Sequence, residues 1–145
     1  MEGTPPTQPG GRWPRIRAVL GEVDPLRVDA RVRPARHRVL AVGLAAVRPG
    51  QPLVIEVGSP GFSTREDREY LLSKAYRAAL EAADSVGAGR IALPTVLAWG
   101  PWPLDSAIRV ALGALESTPT QVREVVVVTA TPAGLEAWAE RLASR

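Results

Sequence analysis

The second half of the chain alternates short apolar runs with segments of helical periodicity, and this alternation limits the fold more than any other feature. Apolar runs rich in β-branched residues at 52–58, 90–93 and 122–130 predict buried strands. Each run is followed by a segment whose apolar residues recur at helical spacing. A β-α-β-α-β-α order is typical of α/β proteins in which helices cover a mixed or mostly parallel sheet. We therefore expect one α/β domain over residues 13–145.

Two of the predicted helices carry capping signals at their start. Ser63 and Thr64 are N-cap candidates for the first helix, and Glu66, three residues after Ser63, fits a capping box. Thr131 followed by Pro132 predicts the N-cap and the first turn of the last helix, because proline is well tolerated there. The middle helix is predicted to begin near residue 104.

The first third of the chain predicts strands rather than long helices. Alternating or apolar segments place strands near residues 15–20, 28–33 and 44–48, with a further short apolar segment at 38–42. Gly43 separates the last two of these segments. Residues 1–12 are rich in proline and glycine, so we expect a disordered tail there.

Composition excludes several kinds of site and places weak limits on the others. The chain has no cysteine and one histidine, His37, so disulfides and Cys/His zinc sites are excluded. No apolar run is long enough for a membrane span and the start lacks a signal-peptide pattern, so we expect a cytoplasmic protein. Seventeen of the 18 basic residues are arginine, which suggests a GC-rich genome and, less directly, a thermophile.

Positive charge is concentrated in the first third. Residues 1–50 hold nine arginines and four acidic residues, a balance of +5, whereas residues 51–145 hold nine basic and eleven acidic residues, a balance of −2. A basic region can face phosphate groups, but arginines on strands are also ordinary solvated residues. We expect two or three of them to contact a ligand. No strand combines basic and aromatic residues, so a nucleic-acid partner is not expected.

Six segments in order resemble the macro domain family from about residue 15 to 143. The segment "IRAVLGEVDPLRVDARVRPA" is similar to the family's opening strand, its Gly-Asp-Ile and its "VDAIVNAAN". The segments "GLAAVRPG" and "PLVIEVGSP" resemble "GEAVITPG" and "YVIHTVGP". The long helix with "RIALP", the helix "PLDSAIRVAL", and "VREVVVVTATPAGLEAWAERL" resemble the remaining elements. The resemblance implies a three-layer α/β/α fold with a central mixed, mostly parallel sheet.

The family binds ADP-ribose, and the resemblance assigns candidate ligand residues here. Glu22 occupies the position of the family's Asp, which contacts the adenine amino group. Arg33 and Arg36 stand at the two asparagines of the family motif, and the glycine-rich phosphate loop that follows has no counterpart. Arg33, Arg36 and Arg38 could replace that loop by charge. The second ligand loop supplies Thr95, Trp99, Gly100 and Trp102 as candidates.

Three functions remain open at this stage. We favour a non-catalytic structural or protein-interaction module, because Trp99 and Trp102 are too large for a tight diphosphate grip and could instead fill the cleft or an interface. Such a module could form a homo-oligomer. The alternative is a binding module for ADP-ribose or a related nucleotide. A hydrolase is the least favoured, since the chain offers no thiol, no metal-ligand cluster and no family asparagine. We predict no cofactor and no catalytic residue.

Overall fold

In the part of the chain that the structure describes, six strands and three α-helices follow the alternation that the sequence predicts. The computed structural model describes residues 13–36 and 38–145, without the side chain of Leu26. The strands are β1 (Arg15–Leu20), β2 (Ala30–Ala35), β3 (Ala45–Arg48), β4 (Leu53–Gly58), β5 (Arg90–Pro94) and β6 (Glu124–Thr129). The helices are α1 (Arg68–Ser85), α2 (Leu104–Leu115) and α3 (Pro132–Ala143), and a 3₁₀ turn covers Pro25–Arg27. The expected tail at 1–12 and His37 lie outside the described residues.

All six strands form one mixed sheet in the order β1-β6-β5-β2-β4-β3. Only the β3–β4 pair is antiparallel, and the other pairs are parallel. The predicted α/β fold with a mixed, mostly parallel sheet is therefore confirmed. The predicted strand at 28–33 begins two residues later than expected, and residues 38–42 form turns rather than regular structure.

The three helices pack against the same face of the sheet. The main core joins Ile16, Val32, Ile55, Leu93 and Val127, which alternate along the strands, to buried residues of α1, α2 and α3. The direction of the crossovers explains this arrangement. Parallel crossovers are right-handed, and both the β4-to-β5 and the β5-to-β6 connections move along the sheet toward β1. Their helices therefore lie on one side.

The opposite face is covered only in part by the described residues. The β1-to-β2 connection moves the other way along the sheet and so crosses that face, but it contains a single 3₁₀ turn. Val23 and Val28 from this connection pack over Ala92 and Val126. Between β2 and β3 the chain makes only a short turn, so no described helix supplies the second helical layer of the expected three-layer arrangement.

Helix α1 begins later than its capping signals predict. Its N-cap is Asp67, which makes no side-chain capping hydrogen bond, and the Ser63 hydroxyl accepts from the amide of Arg65 instead. The expected capping box at Ser63 and Glu66 is therefore wrong. The segment before α1 is held away from a helical path, because Gly61 pairs with Trp99 as an isolated β-bridge. The cap at Thr131 and the proline after it are confirmed, with the threonine side chain accepting from the amide of Gly134.

None of the helices in the described part of the chain is long and apolar enough to cross a membrane.

Candidate functional site

The carboxyl ends of the five parallel strands lie along one edge of the sheet, and most candidate residues follow those ends. Glu22 comes two residues after β1, Arg36 directly follows β2, and Thr95 directly follows β5. In open α/β sheets, ligands usually bind in the crevice outside this edge, where the crossovers change direction. The alternation thus brings together residues that are up to about 80 positions apart in the sequence.

A groove of about 480 Å³ opens at this edge on the face that the helices leave free. Its volume lies within the usual range for small-molecule sites, about 300–1,000 Å³. Apolar surface forms most of the wall, part of it from the strand backbone, because the side chains of Val32 and Leu93 belong to the main core. Three charged residues join it: Glu22, Arg31 and Arg33. The apolar lining comes from Val23, Pro25, Val32, Ala92, Leu93, Pro94 and Val128. The arrangement suits a flat apolar group with a few polar contacts.

The charges of the groove differ in how far they are already engaged. Arg33 donates from Nε and Nη2 to Glu56, at 3.1 and 2.8 Å. The Arg48 and Arg33 guanidiniums that hydrogen-bond Glu56 lower the pKa of this carboxyl. Within the described residues, the side chains of Glu22 and Arg31 make no hydrogen bond or ion pair. Glu22 and Arg31 are also exposed, so both can engage a ligand.

Trp99 forms a second cluster beside the groove, at the ends of β2 and β4. Its indole N–H donates to the carbonyl of Ala35 at 3.2 Å, and its backbone N–H donates to the carbonyl of Pro60 at 3.0 Å. The guanidinium of Arg36 lies over the indole, 4.2 Å from the ring centroid. This distance is typical of a cation–π contact. Trp99 is thus fixed across the edge of the sheet with a positive charge stacked on it.

Trp102 and Gly100 belong to the packing of the loop rather than to the groove lining. The Trp102 ring meets the Phe62 ring edge to face, with centroids 5.4 Å apart. It also packs against the main core, and its buried Nε1 has no hydrogen-bond partner among the described residues. Gly100 has a φ of +84°, a conformation that side chains rarely adopt. Both residues shape the loop that holds Trp99.

Buried side chains of α1 and α3 hydrogen-bond the loop after β5 that carries Trp99. The Tyr76 hydroxyl accepts from the backbone N–H of Leu97 at 3.0 Å, and burial strongly raises the pKa of this tyrosine. The Trp138 Nε1 donates to the carbonyl of Thr95 at 3.0 Å. The Thr95 hydroxyl donates to the carbonyl of Val128 at 3.3 Å. Hydrogen bonds at Thr95 and Leu97 therefore fix the start of the loop after β5.

The candidate residues predicted from the sequence lie in different parts of the site. Glu22 and Arg33 line the groove, whereas Arg36 and Trp99 form the neighbouring cluster. Thr95, Gly100 and Trp102 hold the loop and do not line the groove. Arg38 is exposed, and its side chain makes no hydrogen bond or ion pair within the described residues.

Arg31 is the charged groove residue that the sequence analysis missed, together with the apolar residues of the lining. The alternation of "ARVRPA" places Arg31 on the same face as Arg33, because successive side chains of a strand point to opposite faces. The alternation of β2 could therefore have predicted Arg31 from the sequence. Among the described residues no group of three or more acidic, histidine or cysteine side chains could hold a metal ion.

Comparison with other proteins identifies both sequence relatives and structural neighbours. The chain is 38% identical over 90 residues to a macro domain-containing protein of Streptomyces coelicolor, a match that covers 61% of this chain and 53% of that protein. It is 40% identical over 74 residues to a macro domain-containing protein of Streptomyces nogalater, covering 50% of this chain and 40% of that protein. The chain thus spans about half the length of these curated relatives. No protein-family model matches it.

Several solved macrodomain structures share the fold at low sequence identity. The Oceanobacillus iheyensis macrodomain with MES bound superposes with a TM-score of 0.72 at 18% identity, covering 88% of this chain and 89% of that one. A mutant of that macrodomain with ADP-ribose (ADPR) gives 0.61 at 22%, covering 72% and 61%. The Trypanosoma brucei macrodomain in complex with ADP gives 0.67 at 19%, covering 88% and 69%. Similarity at this level concerns the fold.

Proposed function

We propose that this chain, which is similar to macro domain-containing proteins, is a non-catalytic binding module whose groove takes an adenine nucleotide. The observation that carries the proposal is Glu22, an unengaged carboxylate at the mouth of an apolar groove at the carboxyl edge of the sheet. A carboxylate accepts hydrogen bonds from an exocyclic amine, and adenine carries one. The structures of macrodomains with ADPR and with ADP support the choice of ligand class.

The walls of the groove fit the parts of such a ligand. Val23, Pro25 and Val128 offer apolar surface for the flat base. Arg31 and Arg33 lie along the same groove and supply positive charge for phosphate. Arg33 also keeps its orientation through Glu56, so its guanidinium is already ordered before a ligand arrives.

A non-catalytic role is consistent with the residue at the family's second asparagine. This position holds Arg36, and its guanidinium is stacked on Trp99. An arginine remains protonated at neutral pH and therefore cannot act as a general base there. The chain has no cysteine, and its one histidine, His37, lies outside the described residues.

Replacing Glu22 by alanine is expected to weaken ADP binding by about 10- to 100-fold, the range for a hydrogen bond that involves a charged group. Isothermal titration at low salt measures the effect. Glu81→Ala is the matched control, because Glu81 is an exposed acid on α1, on the helical side of the sheet, and its side chain makes no hydrogen bond or ion pair within the described residues. Equal affinities for the wild-type protein and Glu22→Ala would contradict the role of Glu22. No detectable heat at millimolar ADP would reject the nucleotide proposal itself.

A second candidate function, the interaction module, rests on the face that the helices leave free. Register places Arg17, Val126, Ala92, Arg31, Val54 and Arg48 in one row across the sheet. Parallel sheets are normally covered on both faces. Arg17 and Arg48 are ion-paired with Glu124 and Glu56, whereas Arg31 has no such partner among the described residues. A second copy would set Arg31 near its own counterpart, so charge favours an acidic protein partner over a homo-oligomer at this face.

Arg17→Gln tests the acidic-partner candidate, since Arg17 lies outside the groove lining and its guanidinium, ion-paired with Glu124 at 3.2 Å, remains half exposed. We expect labelled poly-L-glutamate to bind at low salt, and the substitution to weaken binding by at most about fivefold, as for one exposed ion pair. Fluorescence anisotropy measures both. Arg77→Gln on α1 removes the same charge from the helical side and should change nothing. Binding of a single-stranded DNA probe in preference to poly-L-glutamate would replace the protein partner by a nucleic acid.

A further inference from the structure

The order of the strands fixes the direction in which a bound nucleotide must extend. Glu22 lies beyond the end of β1, and the groove continues past Val128 of β6 and Pro94 of β5 to Arg33 of β2. A nucleotide with its base at Glu22 therefore points its phosphates toward β2. The next strand along the edge is β4. Any group beyond the phosphates has to pass the ends of β2 and β4.

Trp99 lies at the ends of β2 and β4. It is bonded on one side to the carbonyl of Ala35, the last residue of β2, and on the other to the segment after β4. The carbonyl of Trp99 accepts from the amide of Phe62 at 2.9 Å, and its amide donates to Pro60 at 3.0 Å. Three hydrogen bonds hold the residue, one to β2 and two to the segment after β4. Its indole is a fixed wall rather than a mobile side chain.

Arg36 gives this wall a positive surface. Its guanidinium is stacked on the indole, and the side chain is exposed, with no acidic partner in the part of the chain that the structure describes. Stacking restrains the guanidinium while leaving its N–H groups available. An arginine held in this way suits the terminal phosphate of a ligand that ends in front of Trp99.

We infer that the site selects nucleotides that end at the diphosphate and excludes ligands that carry a second ribose beyond it. Trp99 is the specificity-determining residue, and Arg36 binds the terminal phosphate. The inference rests on the proposed function and narrows it: ADP fits, whereas ADP-ribose has to displace the Trp99–Arg36 pair. A bound ADP-ribose would have to break the contact between the indole N–H and Ala35 as well.

Titrations of the wild-type protein with AMP, ADP and ADP-ribose test the inference. We expect ADP to bind more tightly than ADP-ribose by about tenfold or more, because ADP-ribose has to break the hydrogen bond between the Trp99 indole and Ala35. Trp99→Ala should remove most of that difference by admitting ADP-ribose. Arg36→Gln should reduce the preference for ADP over AMP and leave AMP affinity unchanged, which a general loss of structure would not do.

Each result supports or overturns the inference. Equal or tighter binding of ADP-ribose by the wild-type protein would overturn it and leave the nucleotide proposal standing. If no nucleotide binds, both fail. A Trp99→Ala protein that is folded by circular dichroism but keeps the full preference for ADP would also overturn it. Trp99→Phe serves as a second variant, because it retains apolar bulk while removing the hydrogen bond to Ala35.

Discussion

Gly58→Ala is expected to lower the free energy of unfolding by about 3 kcal/mol or more, beyond the usual overpacking cost, because the added methyl has nowhere to go. A Cβ at Gly58 would lie 2.0 Å from the carbonyl oxygen of Ala41 and 2.4 Å from that of Leu40. Both atoms belong to the backbone, so no side-chain rotation relieves the contact. The turn over β4 is also held by hydrogen bonds between the backbones of Gly58 and both Gly43 and Leu44.

Urea denaturation followed by circular dichroism measures this effect, and Gly113→Ala is its matched control. Gly113 lies within α2 and nothing within 4 Å would meet its Cβ. Glycine in a helix interior costs about 0.5–1 kcal/mol relative to alanine, so the control should be slightly more stable than the wild-type protein. A Gly58→Ala protein with an unchanged midpoint would show that the turn at 38–44 does not sit on β4. That turn closes the end of β4 next to Trp99, so its position matters for the site.

Trp138→Ala is expected to cost about 3–5 kcal/mol, the range for truncating a large buried aromatic residue. Trp138 is fully buried in the core between α3 and the sheet. Its loss also leaves the carbonyl of Thr95 without the indole N–H that it accepts from. Because Thr95 begins the loop that carries Trp99, we expect the preference for ADP over ADP-ribose to weaken together with stability.

Two further variants separate the contributions of Trp138. Trp138→Phe keeps much of the apolar area and removes the hydrogen bond, so it should cost less than Trp138→Ala, by urea denaturation. Trp13→Ala is the exposed control, since Trp13 is 56% exposed and should contribute little. If Trp138→Ala were as stable as Trp13→Ala, the packing of α3 described above would be wrong.

Periodicity predicted the elements of this fold well because each one buries a regular pattern of residues. The alternation in "RIRAVL" and the apolar run "VREVVVVTA" are strand signals that need no knowledge of the partner strands. The cap at Thr131 is equally local. The start of α1 was predicted too early because the segment before it is held by Trp99, which lies about 38 residues further along the chain.

The site was predictable only as a region of the sheet edge. The family resemblance indicated Glu22 and the loop after β5, but not which residues share a concavity. The contact between Trp99 and Ala35 joins residues 64 positions apart, and no local pattern encodes it. Arg31 could have been predicted from the sequence, because the alternation of β2 places it on the same face of the sheet as Arg33.

The most direct test of the central claim is a backbone amide NMR titration with ADP at low salt. The proposed site predicts chemical-shift changes that saturate together and are centred on the groove, at Val23, Arg33 and Leu93, with a further change at the Trp99 indole N–H when the terminal phosphate meets Arg36. Shifts confined to the helical side of the sheet, or none at millimolar ADP, would contradict the assignment of this groove as a nucleotide site.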